Sequence, residues 1–515
     1  MKRLLAIGLA ILLAAAACAQ QAVPPTAQET KLTFIHFADY HSHAIPFYSE
    51  GKQNQGGLAR TIAYLKKARA SNPNTIVLNG GDTMNSVTPA WSDKYQCAEW
   101  PMFSGLIDAL AVGNHEFDYG YESFQKCRSS VQYPVLAANL VFAADQKPVL
   151  TVTGKPYLVK TVGGVKVGMF ALGGPDFPRL INKNNLTETV TFADPLKTAQ
   201  QVVAALRNEE KVDVVVSFGH EEKDADFAMA KQVGGIDLIL GSHSHLKADL
   251  QKIEGTSTWF ISPFQYLTYL SQVDLTVTNG KVTAATGKLV KMDEGQAEDQ
   301  DTKATVERME KDLEADPKYA AKFQRIGEAA VELSVDNIDK GESVLGDFVM
   351  DSLRRLVKVH AAFSTASSFR ATIPPGPIRL EDYLTALPYK NVVIVHDLSG
   401  AQVQQLLEYS VSKLGSDNFS ATSGLRYKIS GGKPSEVQIL KDALNESAGY
   451  APLDVTKTYR IATTDFQAKI AAGYKDIFGK ATKVNDTGII VNDAMIDLIK
   501  TSSPVSAKLD GRVTQ

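Results

Sequence analysis

Five times in its first half the chain repeats one arrangement. A short apolar run stops, and Asp, Asn or His follows within a few residues, four times beside a glycine. LTFIHF leads into Asp39 and His41, TIVL into Gly80-Gly81-Asp82, ALAV into Gly113-Asn114-His115, VVVSF into Gly219-His220, and LIL into Gly241-Ser242-His243-Ser244-His245. The runs read as strands, and in open α/β sheets ligands bind beyond the carboxyl ends of the strands. If these strands share a sheet, all five ends converge. The glycines permit tight turns and close backbone approach.

The segments between the runs support that reading. GGLARTIAYLKKARA carries Leu58, Ile62 and Leu65 on one helical face, and Pro195 to Asn208 is helix-prone. Strand-like runs alternating with helices predict α/β layers around a largely buried sheet. At 515 residues the chain is long enough for two domains, each with its own core. The character changes near Glu294. Gln296 to Lys322 is charged, with Val306, Met309 and Leu313 as its apolar edge, and reads as a connecting helix and a hinge. The expected division is a domain over 31–295, a linker over 296–325 and a smaller mixed α/β domain over 326–515.

Lys2 and Arg3 precede an apolar run of fourteen residues, Leu4 to Ala17. That falls short of the about 20 needed to span a bilayer and reads as a secretory signal over 1–18, followed by a Pro-containing tether over 19–30. AAAC resembles a lipoprotein cleavage box with Cys18 as the lipidated residue, which would tether the exported chain to a membrane. Cleavage by an ordinary signal peptidase is the alternative. Export, with the periplasm as the expected compartment, would place Cys97 and Cys127 where they can pair; two free buried thiols are the alternative. The net charge of −3 argues against a nucleic-acid polymer as partner.

Clustered Asp, Asn and His side chains would be unstable without compensation, because their carboxylates repel one another. Divalent cations remove that cost, and this oxygen and imidazole mix suits Zn²⁺, Mn²⁺ or Fe. Of nine histidines, five stand at these strand ends. Singly the motifs are weak: Asp39-x-His41 and Gly80-Gly81-Asp82 are common in loops, and His220 alone reads as a core residue. Together, in this order, they form a strong set.

The strings ADYH, GGD, GNHEFD, FGHEE and GSHSH resemble those of the metallophosphoesterases, specifically the bacterial periplasmic 5′-nucleotidase/UDP-sugar hydrolase family. GGLAR, LPYKNVVIVHDLSG and the SSP ending at Pro504 extend the likeness over nearly the whole mature chain. The resemblance implies an N-terminal α/β sandwich and a C-terminal substrate domain. It implies two metal ions, one held by Asp39, His41, Asp82 and His245 and the other by Asp82, Asn114, His220 and His243. His115, oriented by Asp118, would be catalytic without ligating metal. A hydroxide bridging the ions would attack phosphorus, and the substrate would be a small phosphoester such as a nucleotide. Arg370 would contact phosphate, with Phe419 and Phe466 sandwiching a base. Glu116 and Glu221 have no ligand role in the pattern and read as outer-sphere or solvent-facing. The chain departs from the family where Thr365-Ala366-Ser367-Ser368 replaces a glycine turn and Ala472 replaces a ribose-contacting aspartate. Hydrolysis of a non-nucleotide or cyclic ester, and a non-catalytic metal-binding lipoprotein, stay open as alternatives.

Overall fold

A computed structural model describes residues 29–86 and 89–515. The signal, Cys18 and the tether up to residue 28 lie outside the described residues. The first half contains β1 (Glu29–Phe37), β2 (Thr75–Asn79), β3 (Ala109–Ala111), β4 (Val135–Leu136), β5 (Leu158–Val162), β6 (Val165–Phe170), β7 (Val214–Ser217), β8 (Leu238–Leu240), β9 (Lys247–Lys252), β10 (Trp259–Pro263), β11 (Tyr269–Thr278) and β12 (Lys281–Lys291). They form two six-stranded sheets, ordered β12-β11-β1-β2-β3-β4 and β9-β10-β8-β7-β6-β5. Strands β1 to β4 run parallel in one sheet, and β6, β7, β8 and β10 run parallel in the other.

Strand periodicity sorts the side chains into layers. Leu32 and Phe34 of β1 enter the core between the sheets, with Val167, Val214, Val216 and Leu238 opposite. Ile35 and Phe37, one position out of phase, enter the core between the first sheet and its helices. There α1 (Leu58–Ser71) buries Leu58, Ile62 and Leu65, the face its spacing predicts. The runs are strands because both faces are covered, so nearly every position can be apolar.

Helix α2 (Gln300–Glu314) follows. Asp299 caps it by accepting the Thr302 N–H at 3.0 Å. Val306 and Leu313 sink into the first core and Met309 packs against it, each burial stabilising by about 1.5–3 kcal/mol. The segment expected to be a hinge is therefore docked along the first half, with Arg60–Glu298 at 3.1 Å reinforcing its start.

The second half is built on β13 (Ala361–Thr365), β14 (Val392–Ser399), β15 (Ser420–Ser423), β16 (Thr458–Thr464) and β17 (Lys483–Ile490), ordered β15-β13-β16-β14-β17. Only β13 and β16 pair in parallel, so the sheet is mixed. Helix α3 (Val344–Val357) covers one face with Leu345, Val349 and Leu353. Helix α4 (Gly400–Ser412) covers the other with Val403, Leu406 and Leu407. The architecture is the expected one: an α/β sandwich followed by a smaller mixed α/β unit.

Candidate functional site

The parallel strands point their carboxyl ends to one side. β1 delivers Asp39 and His41, β2 Asp82, β3 Asn114 and His115, β7 His220, and β8 His243 and His245. Five of these residues leave their strands in the left-handed region: Asp39 at φ 51°, His41 at 46°, Asp82 at 50°, His243 at 61° and His245 at 47°. Non-glycine residues there cost about 1–3 kcal/mol each, and such strain gathers at functional sites. The glycines make room. A Cβ at Gly113 would lie 2.1 Å from Asp82 Oδ1, and one at Gly80 would lie 2.6 Å from His36 Nε2.

The ligand-type atoms fall into two groups. Asp39, His41 and His245 offer atoms all within 4.8 Å of one another, as do Asp82, His220 and His243. His41 Nε2 lies 3.1 Å from His245 Nε2 and 3.8 Å from Asp82 Oδ2. His245 Nε2 lies 3.3 Å from Asp39 Oδ1. His220 Nε2 is 2.9 Å from Asp82 Oδ2 without the alignment of a hydrogen bond, and Asn114 Oδ1 is buried with no partner among the described residues. The outer nitrogens are anchored: His220 Nδ1 meets the Gly80 carbonyl at 2.7 Å, His41 Nδ1 the Met84 carbonyl at 3.2 Å, and His243 Nε2 the Asp176 carboxylate at 2.9 Å. Ring anchoring of this kind fixes the orientation of metal-ligating histidines.

Electrostatics agree. Burial, aided by Asp82, pushes the Asp39 carboxyl well above its ordinary range. Burial would do the same to Asp82, but His220, His115 and His41 outweigh it and hold that carboxyl low. Burial and the Arg370 charge depress His41 and His245, leaving neutral imidazoles able to ligate. Two adjacent carboxylates, each 1% exposed, ask for a cation between them. At His220 and His243 burial would lower the pKa, but Asp82 and Asp176 outweigh it and raise both, so these two imidazoles offset the buried carboxylates with protons that a cation would displace. Orphaned acceptors and a mixed nitrogen and oxygen set fit divalent metal ions.

His115 sits beside this cluster. Its Nδ1 lies 2.7 Å from Asp118 Oδ2, which also accepts the Ser86 N–H at 2.7 Å. Burial would lower its pKa, but Asp118 and Asp82 outweigh burial and raise it to about 9. Glu116 and Glu221 are not solvent-facing; they are 0% and 2% exposed. Glu116 ties two strand ends together. It accepts the N–H groups of Asp82 at 2.9 Å, Thr83 at 2.7 Å and Gly113 at 2.6 Å, and the Thr83 hydroxyl at 2.6 Å. A string with Asn114, His115 and Asp118 in the site therefore also carries the clamp that shapes it.

Asp82, Asn114, His115, His243 and His245 line a cavity of about 600 Å³. The second half contributes Arg370, Asp417, Phe466 and Ala472 to the same walls. Arg370 Nη2 reaches within 3.0 Å of His245 Nε2, and its Nη1 is 3.6 Å from Asp417. Phe419 is a correction. Its ring is 0% exposed and packs with Val403, Leu406 and Leu407 in the core beneath the cavity, so it offers no face to a base. Sequence reasoning missed Asp176, although β6 ends in Gly173-Gly174-Pro175-Asp176, the same grammar as the other five ends. It also missed Tyr389, which lines the cavity and has no such signal.

The Cys97 and Cys127 sulfurs are joined in a disulfide that encloses the His115 loop. Among the described residues no helix is long and apolar enough to cross a membrane.

Comparison with known proteins matches residues 32–247 to the calcineurin-like phosphoesterase family and residues 325–479 to the 5′-nucleotidase C-terminal domain. The structure of a 5′-nucleotidase precursor from Thermus thermophilus superposes with a TM-score of 0.74 at 27% identity, covering 94% of this chain and 99% of that one. The protein UshA of Yersinia enterocolitica is 26% identical over 92% of each chain. The trifunctional nucleotide phosphoesterase YfkN of Bacillus subtilis is 25% identical over 96% of this chain, which spans only 35% of that protein. With both halves matched and the ligand-type residues gathered at the strand ends, this chain belongs to the calcineurin-like metallophosphoesterases that carry a 5′-nucleotidase C-terminal domain, and it is a metal-dependent phosphoester hydrolase.

Proposed function

We propose that the chain is an exported, two-metal phosphohydrolase that releases phosphate from nucleotides. The observation carrying this reading is the meeting of two ligand groups around Asp82, at a cavity whose opposite wall holds Arg370. Asp39, His41 and His245 would hold one cation and Asn114, His220 and His243 the other, with Asp82 shared. When bound, the cations neutralise phosphoryl oxygens and acidify water.

The chain's own groups do the rest. Arg370 presents a planar guanidinium suited to two phosphoryl oxygens. His115 is aimed by Asp118 through Nδ1, so its Nε2–H is free to donate to an oxygen gaining charge as the P–O bond breaks. The leaving oxygen departs protonated. Phe466 offers one face to a base. Export is supported by the leader pattern and by the disulfide, a bond of oxidising compartments.

A second reading, action on an ester without a nucleoside, is favoured by two observations: Phe419 is withdrawn into the core, and Ala472, on the cavity wall, stands where the family resemblance implies a ribose-contacting acid. A panel of nucleoside monophosphates, UDP-sugars, cyclic nucleotides and simple aryl phosphates, assayed with and without chelator, separates the two. Chelator-sensitive release from nucleotides that is lost in His115→Ala supports the first. Turnover of non-nucleotide esters alone supports the second. Stoichiometric metal with no turnover of any ester contradicts both.

A further inference from the structure

The loop after β10 is strained without a glycine to excuse it. Phe264 at φ 71°, Tyr266 at 59° and Leu267 at 56° all occupy the left-handed region, and bulky residues adopt it only when the surroundings impose it. Those surroundings are the site. The Tyr266 N–H donates to the Asp39 carbonyl at 2.8 Å. Its ring stacks on His43 with centroids 3.7 Å apart and planes 14° from parallel. The same ring sets its edge against His41 at 5.7 Å and His245 at 6.1 Å. From the other half of the molecule comes Arg370. Its carbonyl accepts the Gln265 amide at 3.3 Å, and its guanidinium charge acts on the Tyr266 phenol, where burial raises the pKa and Arg370 opposes that rise.

We propose that the Phe264–Leu267 loop docks Arg370 onto the metal-ligand cluster, with Tyr266 as the positioning residue. Tyr266 is 4% exposed and does not line the cavity, so it acts through Arg370 rather than on the substrate. One short segment thereby touches the carbonyl of one ligand, the rings of two others and the phosphate-facing cation of the opposite domain. The strain has a use: it turns a tyrosine inward at a point where an extended strand end would carry it past. The inference rests on the cavity being a phosphoester site.

Binding of inorganic phosphate to the full chain loaded with Mn²⁺, measured by calorimetry, tests it. Tyr266→Phe keeps the ring and removes the hydroxyl. It is expected to weaken phosphate binding about five- to tenfold, the worth of one ordinary polar contact. Its metal-free thermal midpoint should stay within about 2 °C of wild type, the margin of a minor stability change. Gln265→Leu, which removes only the amide contact, is expected to weaken binding by a smaller factor in the same direction. The double variant Tyr266→Phe/Arg370→Ala should bind no more weakly than Arg370→Ala alone, because both act through one guanidinium. Unchanged phosphate affinity in Tyr266→Phe, or losses that multiply in the double variant, would overturn the proposal while leaving the phosphoester reading intact. A wild-type chain that binds metal but no phosphate would overturn both.

Discussion

His115 and Asp118 carry the sharpest prediction at the level of single residues. The imidazole's pKa stands near 9 because Asp118 and Asp82 outweigh burial. A raised pKa keeps the imidazole protonated through neutral pH, and the protonated form, with whatever depends on it, is lost as pH rises through the raised value. Rate profiles of Asp118→Asn should show the alkaline limb moved toward neutral pH, with turnover at its optimum reduced about 10- to 100-fold and bound metal unchanged. A limb that stays in place would separate Asp118 from His115. Glu116→Gln should act differently. It turns an amide N–H₂ toward donors that now face a carboxylate, costing about 1–3 kcal/mol, and should lower metal content together with the denaturation midpoint. The ligand-type residues were legible in sequence because few residue types can bind a cation, and their spacing after apolar runs is distinctive. Phe419 and Phe466 were not separable by such means. Both are phenylalanines in the same half, and only packing sends one ring into the core and the other to the cavity wall.

Among the elements, two ties decide whether the strand ends hold their register. The Cys97–Cys127 disulfide closes a separation of 30 residues around β3 and the His115 loop. Restricting the unfolded chain over that span stabilises by about 3–4 kcal/mol, so Cys97→Ser/Cys127→Ser should lower the unfolding free energy read from urea titration by that much without changing the fold. Glu50 ties β9 to β12, meeting Lys247 at 2.6 Å and Lys291 at 2.7 Å. Burial would raise its pKa, but Lys247, Lys291 and Tyr269 outweigh burial and bring it to about 2. A depressed carboxyl contributes stability above its unfolded pKa and loses it as pH falls through the folded value. Glu50→Gln should therefore narrow the stability gap to wild type between about pH 4.5 and pH 2, read from thermal midpoints across that range. A constant gap would remove Glu50 as a pH-dependent tie. Most strand ends could be read to within one or two residues because fully covered strands are apolar throughout. The role of α2 could not. Its apolar edge of Val306, Met309 and Leu313 was visible, but which core that edge packs on, here the first, was not.

At the scale of the whole molecule, the two halves meet over the cavity through Arg370, and Lys413–Asp224 at 3.2 Å forms another crossing contact. The change in patterning near Glu294 falls where the two six-stranded sheets of the first half end and the chain passes toward the mixed sheet of the second. Of the second-half groups at the cavity, Arg370 and Phe466 were readable from the family strings, whereas Asp417 and Tyr389 were not, since their reach depends on how the two halves are placed together. Chelator should abolish turnover, and added Mn²⁺ should restore it, with the far-UV spectrum unchanged throughout; loss of secondary structure on chelation would make the metals structural instead. Diffraction from Mn²⁺-soaked crystals at the metal absorption edge tests the paired-cation arrangement at its source. Two anomalous peaks are expected, one on either side of the Asp82 carboxylate, one reached by Asp39, His41 and His245 and the other by Asn114, His220 and His243. No peak at Asp82, or metal bound only elsewhere on the chain, would contradict that arrangement.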